Sequence, residues 1–493
     1  MLVSPERIRR LNDRPERSGA DFVLYWIQMY HRAEQNWALT AAIEEANRLD
    51  LPLVAYQSLE PVSPSDNDRI YRFVLEGVAE LPDRFARRGI RYHFYSCRRD
   101  EPQEDPLHHL AHRAALILTD DFPAFVVPER SQRLAAWVDV PVLAVDGNGI
   151  VPLAAIPGEQ YGAYTLRPRI RRLLPEHLRP IPEPDPERDS LDLRLDIPHT
   201  TVSPETIDAL IAASSIDHTV PPSPVYHGGR KEARGRVARF ISGPLNEYGI
   251  ARSQPGAEKT SRLSAYLHFG QIAAQEVALE LREASGVAAE HRDAFLEELI
   301  VRRELAFNFC RYNPHHRSLA GLPVWARDTL HAHAADPRPY VYSSQEFEEA
   351  RTHDYLWNAI QAELLTTGAM FVYYRMYWGK KIIEWSRTPP EAQSTMIRLH
   401  EKYALDGRNP NTYGNILWCF GKHDRPWFER PVFGTVRYMS LGGMEAKTEV
   451  TAYVERVNRW CAEAGRPVIR MTAPARPTRT KRTQKGGRIH ATR

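Results

Sequence analysis

The sequence predicts an α/β domain with a parallel sheet at the N-terminus, followed by a large all-helical domain. Three observations predict it. Between residues 21 and 147 five short apolar runs alternate with helical patterns, as in a parallel sheet covered on both faces. From residue 226 onward no convincing strand follows, and helical periodicity recurs segment after segment. Between the two, Pro180, Pro182, Pro184 and Pro186 alternate with charged residues, and VPPSP at 220–224 closes a surface crossing.

The first strand is DFVLYW at 21–26, after Ser18-Gly19, and a helix is expected from about 33 to 49. LPLVAYQSL at 51–59 is the second strand, a helix near 69–88 follows, and IRYHFYSC at 90–97 is the third. A helix near 106–114 precedes ALILTDD at 115–121, and one near 130–137 precedes VPVLAVDG at 140–147. Such a sheet often holds nucleotides beyond its strand ends, but no GxGxxG opens the first helix. In the second half, helices are expected near 228–246, 270–284, 290–312, 345–366, 369–386, 389–400 and 446–461.

With 493 residues, 43% hydrophobic and 26% charged, the chain has room for two or three ordinary domains. Its fixed charge of +3 is misleading, because residues 471–493 hold seven Lys or Arg and no acid. That tail has almost nothing to bury. It either meets nucleic-acid phosphates or solubilises the chain end. Cys97, Cys310, Cys419 and Cys461 are scattered, without zinc or iron–sulfur spacing, so no metal is expected. No cleavable leader and no membrane-length apolar run is evident, and a cytoplasmic monomer is expected.

Trp357, Trp378 and Trp385 lie in runs that otherwise read as buried helix. Trp378 and Trp385 are seven apart, one face of one helix, roughly 10 Å along its axis. Such rings are either core packing or a path for single electrons. Glu298 and Arg302 are four apart in LEELIVRREL, with Glu297 as rival partner. They form either a solvated pair worth a few tenths of a kcal/mol or a carboxylate facing a cleft. Residues 405–439 are too polar for a core helix and too aromatic for a linker, which suggests a wrapped loop lining a pocket. There Trp418 can stack on an extruded base, and Arg430 and Arg437 can meet phosphates. The alternative is a loop that plugs the core.

At this point the chain resembles a family. VLYWIQMYHRAEQNWAL at 23–39, AYTLRPRI at 163–170, SRLSAYLHFGQI, EELIVRREL, THDYLWNAIQ, RMYWGKKIIEWS, KYALDGRNPN and HDRPWFERPVFGTVRYM resemble, in order, the motifs of class II cyclobutane pyrimidine dimer photolyases of the photolyase/cryptochrome superfamily. The resemblance covers about residues 11–462. It implies an FAD-binding helical domain and light-driven repair of a pyrimidine dimer flipped out of UV-damaged DNA. It also implies roles for individual residues. Ser261, Leu263 and Ser264 would lie near the FAD phosphates, Arg375 and Asp406 near the isoalloxazine, and Asn411 in the following loop. Glu298 would face the dimer and Trp418 would wall the lesion pocket. Trp385, Trp378 and Trp357 would pass electrons to oxidised flavin. The N-terminal sheet would be the antenna domain, which in relatives holds a deazaflavin or folate. The implied boundaries are 1–171 for the antenna domain, 172–225 for the linker, 226–470 for the FAD domain and 471–493 for the basic tail.

The chain departs from that pattern near the expected flavin. GAMFVYYRMYW places Ala369, Phe371 and Val372 where the class has Lys, His and Gly. Leu399-His400-Glu401 places a histidine where the class has an Asn facing flavin N5, so His400 is a candidate flavin-tuning residue. Ala265 replaces a familiar proline, and Glu445 and Glu449 dilute a basic segment at 441–450. These changes keep a second expectation open: a photolyase-like flavoprotein with another task, of cryptochrome type or acting on a small molecule.

Overall fold

The computed structural model describes residues 2–99 and 106–471. All but the first residue of the basic tail therefore lies outside the described residues. Six strands form one sheet in the order β1-β6-β5-β2-β3-β4. They are β1 (Ile8–Arg10), β2 (Phe22–Ile27), β3 (Leu53–Leu59), β4 (Arg91–Ser96), β5 (Ala114–Asp120) and β6 (Val142–Val145). The five apolar runs are the five parallel strands, and every residue of β2 and β5 is buried. The sixth strand, β1, runs antiparallel to β6 at the edge. Three residues, two of them arginine, carry no apolar signal, so sequence reading missed it.

The strand order reverses between β2 and β5, where a nucleotide phosphate often sits in such sheets. Here Asp120, at the end of β5, fills that place. Its carboxylate accepts the backbone N–H groups of Gln28, Met29 and Tyr30 at 2.7–2.9 Å and the Tyr25 hydroxyl at 2.8 Å.

The second half is helical; Val324–Ala332 is a helix outside the expected spans, and three other segments differ in detail. The span 345–366 is two helices, Ser344–Glu348 and Tyr355–Thr367, because Asp354 accepts the Trp357 N–H and starts the second afresh. The span 290–312 is helical throughout, but Glu297–Arg302 winds as π-helix. Within 405–439, expected to be a loop, Pro410–Cys419 is a helix. Asn409 caps it and Pro410 opens it, so the polar residues that argued for a loop are its start signal. In the N-terminal half the helix expected at 69–88 is likewise split, into Asp68–Val78 and Leu81–Ala86 with Pro82 in its first turn. The crossing at 172–225 is irregular except for the end of the Ala163–His177 helix and Ile207–Ala213.

Buried polar groups tie the halves together. The Arg69 guanidinium, on the Asp68–Val78 helix, donates to the carbonyls of Pro221, Leu364, Leu365, Thr366 and Tyr403 at 2.7–3.3 Å. It thereby satisfies the Leu365 and Thr366 carbonyls at the end of the Tyr355–Thr367 helix and adds to the Gly368 N–H that the Leu364 carbonyl accepts. Glu304 accepts the Ile150 N–H at 2.7 Å, and Arg303 donates to the Asn148 carbonyl at 2.6 Å. Replacing Arg69 with Met strips several buried carbonyls of donors at once. We expect a loss of roughly 3 kcal/mol or more, read as a fall in thermal midpoint, with far-UV helicity at low temperature unchanged.

Candidate active site

The helical half converges on the turn between the Pro389–Tyr403 and Pro410–Cys419 helices. Asp406 lies in this turn and faces Arg375 of the Val372–Trp385 helix, which donates three hydrogen bonds to its carboxylate at 3.1–3.2 Å. Burial works against the Asp406 charge, but Arg375 outweighs it and holds the carboxyl below its usual range. The two side chains remain 13% and 15% exposed although they sit deep among helices. Two neighbouring polar atoms are buried without a partner, Nε of Arg375 and Nε2 of His400.

His400 is 2% exposed, and its Nδ1 is bonded to the Met396 carbonyl at 2.9 Å. That bond requires Nδ1–H, so Nε2 is an acceptor left without a partner, with Arg375 and Asp406 in electrostatic reach of the ring. Burial, reinforced by the Arg375 charge, pushes its pKa down to about 4, so the ring is neutral. On the other side of the pair, His268 is held neutral by burial, at about 3, and its Nδ1 accepts from Asn409. The Asn409 amide oxygen in turn takes both the backbone and side-chain N–H of Asn411. A planar partner with both donor and acceptor edges suits this set. Most buried polar atoms have a hydrogen-bond partner, and an isoalloxazine edge supplies both donor and acceptor groups.

The three tryptophans lead away from this cluster. The Trp378 ring meets His400 edge to face at 5.1 Å. Trp378 stacks on Trp357 at 6.2 Å and 5°, and Trp357 meets Trp385 at 6.2 Å and 66°. All three are at most 2% exposed. Trp378 and Trp385 are seven apart on one helix, but the ring that connects them comes from the neighbouring helix. Trp378 donates to Gln361 Oε1 at 2.9 Å and Trp357 to the Trp378 carbonyl at 3.0 Å, so both ring orientations are fixed.

The other expected residues fall nearby. Ser261, Leu263 and Ser264 share one turn beside Arg262, whose φ is +53°. Leu263 is buried, Ser261 half-buried and Ser264 exposed. Tyr226 is within electrostatic reach of both Arg262 and Asp406, which links that turn to the central pair. Glu298 is on the π-helical segment, partly exposed, and paired with Arg252 at 2.8 Å. The partner foreseen for it, Arg302, reaches Glu297 instead at 3.6 Å, because π winding brings residues five apart together. Glu297 is itself held by Arg167 at 2.6 Å.

Trp418 is half-buried on the Pro410–Cys419 helix, with Lys380 Nζ 5.1 Å and the Arg437 guanidinium 5.5 Å from its ring centre. Lys380 is fully buried, and burial lowers its pKa to about 8. Arg437, suggested above as a phosphate contact, is committed to Asp424 at 2.8 Å and to the Trp427 face at 4.0 Å. Arg430 is exposed, over Tyr438. Two residues before Arg430, Phe428 is 90% exposed. Sequence reading passed over His268, Asn409, Tyr226 and Lys380. HFG and GKK stood in quoted motifs, but no periodicity separates a buried polar residue from an exposed one.

The neutral histidines give a pH signature. His31, His93 and His400 have pKa values near 4, and His268 near 3, all through burial. Unfolded, each takes a proton near pH 6.5. The folded state therefore binds fewer protons, and stability drops as pH falls from about 6.5 toward 4, by on the order of 3 kcal/mol for each such ring. His400→Asn removes one share, so the fall in melting temperature between pH 7 and pH 5 should shrink.

The DNA photolyase family model matches residues 23–187. A deoxyribodipyrimidine photo-lyase of Methanothermobacter thermautotrophicus is 40% identical over 458 residues, covering 92% of this chain and 99% of that protein. One from Arabidopsis thaliana is 35% identical over 92% of this chain and 93% of its own length. One from Potorous tridactylus is 33% identical over 88% of this chain and 81% of its own length. A solved bacterial class III photolyase from Agrobacterium tumefaciens overlays with TM-score 0.62 at 18% identity, covering 91% of this chain and 88% of that one, a likeness of fold. With such identity along nearly its whole length, the chain belongs to the DNA photolyase family.

Proposed function

We propose that this protein is a deoxyribodipyrimidine photolyase, which splits cyclobutane pyrimidine dimers in DNA by light-driven electron transfer from reduced FAD. The observation that carries the reading is the dry line of three tryptophans ending at a polar cluster with unpaired atoms, in a chain whose full-length relatives bear that enzyme's name. Bound at the cluster, FAD supplies the photoexcited electron that opens the cyclobutane ring and receives it back.

The protein's own residues bind, orient and exclude water. Arg375 holds Asp406 ionised, and the pair offers donor and acceptor edges to the ring system. His400 offers a neutral acceptor nitrogen beside Trp378. Ser261, Leu263 and Ser264 shape the turn for the phosphates, and Asn411, tied to Asn409, closes the following loop. Glu298 on its π-helical segment faces the flipped-out dimer, since π segments recur at functional sites. Trp418 forms a stacking wall through the part of its ring left open, with Lys380 and Arg437 packed close to it. Exposed Phe428 and Arg430 stand where a duplex opened around the lesion would press. The antenna domain would span 1–171, the linker 172–225 and the FAD domain 226–470. A monomer in the cytoplasm with a deazaflavin or folate antenna completes the reading. No helix among the described residues is long and apolar enough to cross a membrane.

The test is direct. The purified protein should carry FAD and, once reduced, restore thymines in a UV-irradiated oligonucleotide only under light. Light-independent or absent restoration by flavin-loaded protein would reject the reading. Glu298→Ala should lower repair by about 10–100-fold, the worth of one charge-assisted hydrogen bond, with FAD content unchanged. Trp378→Phe should slow photoreduction of the oxidised cofactor, while repair by chemically reduced protein stays intact.

A further inference from the structure

Trp385 does not end the run of rings. The Tyr342 ring meets it at 5.8 Å and 77°, and the His353 ring at 4.8 Å and 61°. The Tyr342 hydroxyl is 2.6 Å from Nδ1 of His353 and also accepts the backbone N–H of His353 at 3.0 Å. In the tautomer protonated on Nε2, the neutral His353 ring accepts at Nδ1 and the phenol donates. The Tyr342 N–H donates to the Trp385 carbonyl at 3.0 Å, which fixes phenol and indole to one another. Tyr340 lies flat on the outer face of His353 at 3.6 Å. Unlike the buried tryptophans, Tyr342 and His353 are half-exposed, and His353 lines a cavity of about 460 Å³ beside Arg351, Arg466 and Arg470.

Resting on the photolyase reading, we infer that the electron route through the tryptophans terminates at Tyr342, which gives its electron to oxidised Trp385 and its phenolic proton to Nδ1 of His353. In this step Trp385 returns to neutral indole, the Tyr342 O–H bond breaks and an N–H bond forms on His353. A neutral tyrosyl radical and an imidazolium remain, so one positive charge has moved from Trp385 to His353. A thiol in solution supplies the electron that resets the pair, and the imidazolium returns the proton to the phenolate oxygen.

Two features drive the step. The Lys381 ammonium lies 5.5 Å from the Trp385 ring centre, and a positive charge there disfavours an indole radical cation. Glu384 pairs with Lys381 at 2.6 Å and tempers this without removing it. A phenol resists one-electron oxidation unless a base within hydrogen-bond reach takes its proton, and His353 is placed to do so. Arg351, Arg466, Arg470 and Glu349 line the same cavity as His353, and of the charged groups Asp354, the next residue, favours the imidazolium while Lys381 opposes it. Together with burial, the larger effect, they leave the ring below its ordinary pKa and so neutral and ready to accept. Burial likewise raises the Tyr342 pKa, so the phenol keeps its proton until oxidised.

The experiment illuminates the FAD-loaded protein with oxidised cofactor, freezes it and records the radical by electron paramagnetic resonance. Wild type should give a tyrosyl signal, formed more slowly in heavy water. Tyr342→Phe should lose that signal and show a tryptophanyl radical, and His353→Gln, with Tyr342 intact, should do the same. In the dark, the ¹⁵N shift of His353 Nδ1 should be that of a hydrogen-bond acceptor and should change in Tyr342→Phe, whatever cofactor is loaded. A tryptophanyl signal in wild type, or a tyrosyl signal that survives Tyr342→Phe, overturns the inference and leaves the photolyase reading standing. No light-induced radical at all in loaded protein overturns the tryptophan route together with its terminus.

Discussion

The helical half depends on one close approach, where the chain turns between Tyr403 and Pro410. A Cβ on Gly407 would lie 2.0 Å from the His400 carbonyl oxygen, so only glycine lets the turn fold back against the helix it leaves. That turn sends three successive polar side chains in different directions: Asp406 to Arg375, Arg408 into an ion pair with Asp66, and Asn409 to His268. The carbonyl of Gly368, with φ +80°, accepts the Leu405 N–H at 2.8 Å, and a Cβ there would press on Arg69. A side chain at Gly407 would press on His400, and one at Gly368 on Arg69 and Leu405, at the two ends of the segment that carries Asp406.

The charge pattern around that turn is selective. Asp406 is kept ionised by Arg375, while both flanking imidazoles are held neutral by burial. A neutral ring next to Trp378 adds no fixed positive charge at the near end of the tryptophan line. The fixed ammonium, Lys381, is at the far end, by Trp385. On the electron route proposed above, a deficit that reached the far end would meet this ammonium and, beside it, a phenol and a base. The indole N–H bonds to Gln361 and to the Trp378 carbonyl keep two of the rings from swinging out of contact.

Much of this was legible in the chain, and the reasons for the rest are physical. The five parallel strands announce themselves because each is buried on both faces and reads as an unbroken apolar run. The three tryptophans could be named as candidates, but Trp357 bridges the other two only through tertiary packing, which periodicity along one helix does not contain. Residues 410–419 read as loop because the Asn-Pro start and the Gly, Asn and Thr content mimic one, whereas tertiary burial of Tyr413, Ile416 and Leu417 decides in favour of helix. Glu298 was paired with the wrong arginine because a four-residue rule assumes α winding, and nothing in EELIVR signals the change to π.

The sheet also constrains where anything else can bind. In a fold of this order the crevice beyond β2 and β5 is the customary seat for a phosphate. Here three successive N–H groups that would make that seat are spent on Asp120, which is 0% exposed and also holds the Tyr25 hydroxyl. Removing that carboxylate would leave three buried donors without partners, which is costly, so an incoming anion would have to displace a built-in one. The crevice is further closed by Arg9 and Arg311 on Asp121 and by Arg303 on the Asn148 carbonyl. The carboxyl ends of this sheet thus serve first as a platform that grips the helical half. A second chromophore would have to seat beside that platform, on surfaces that do not require Asp120 to let go.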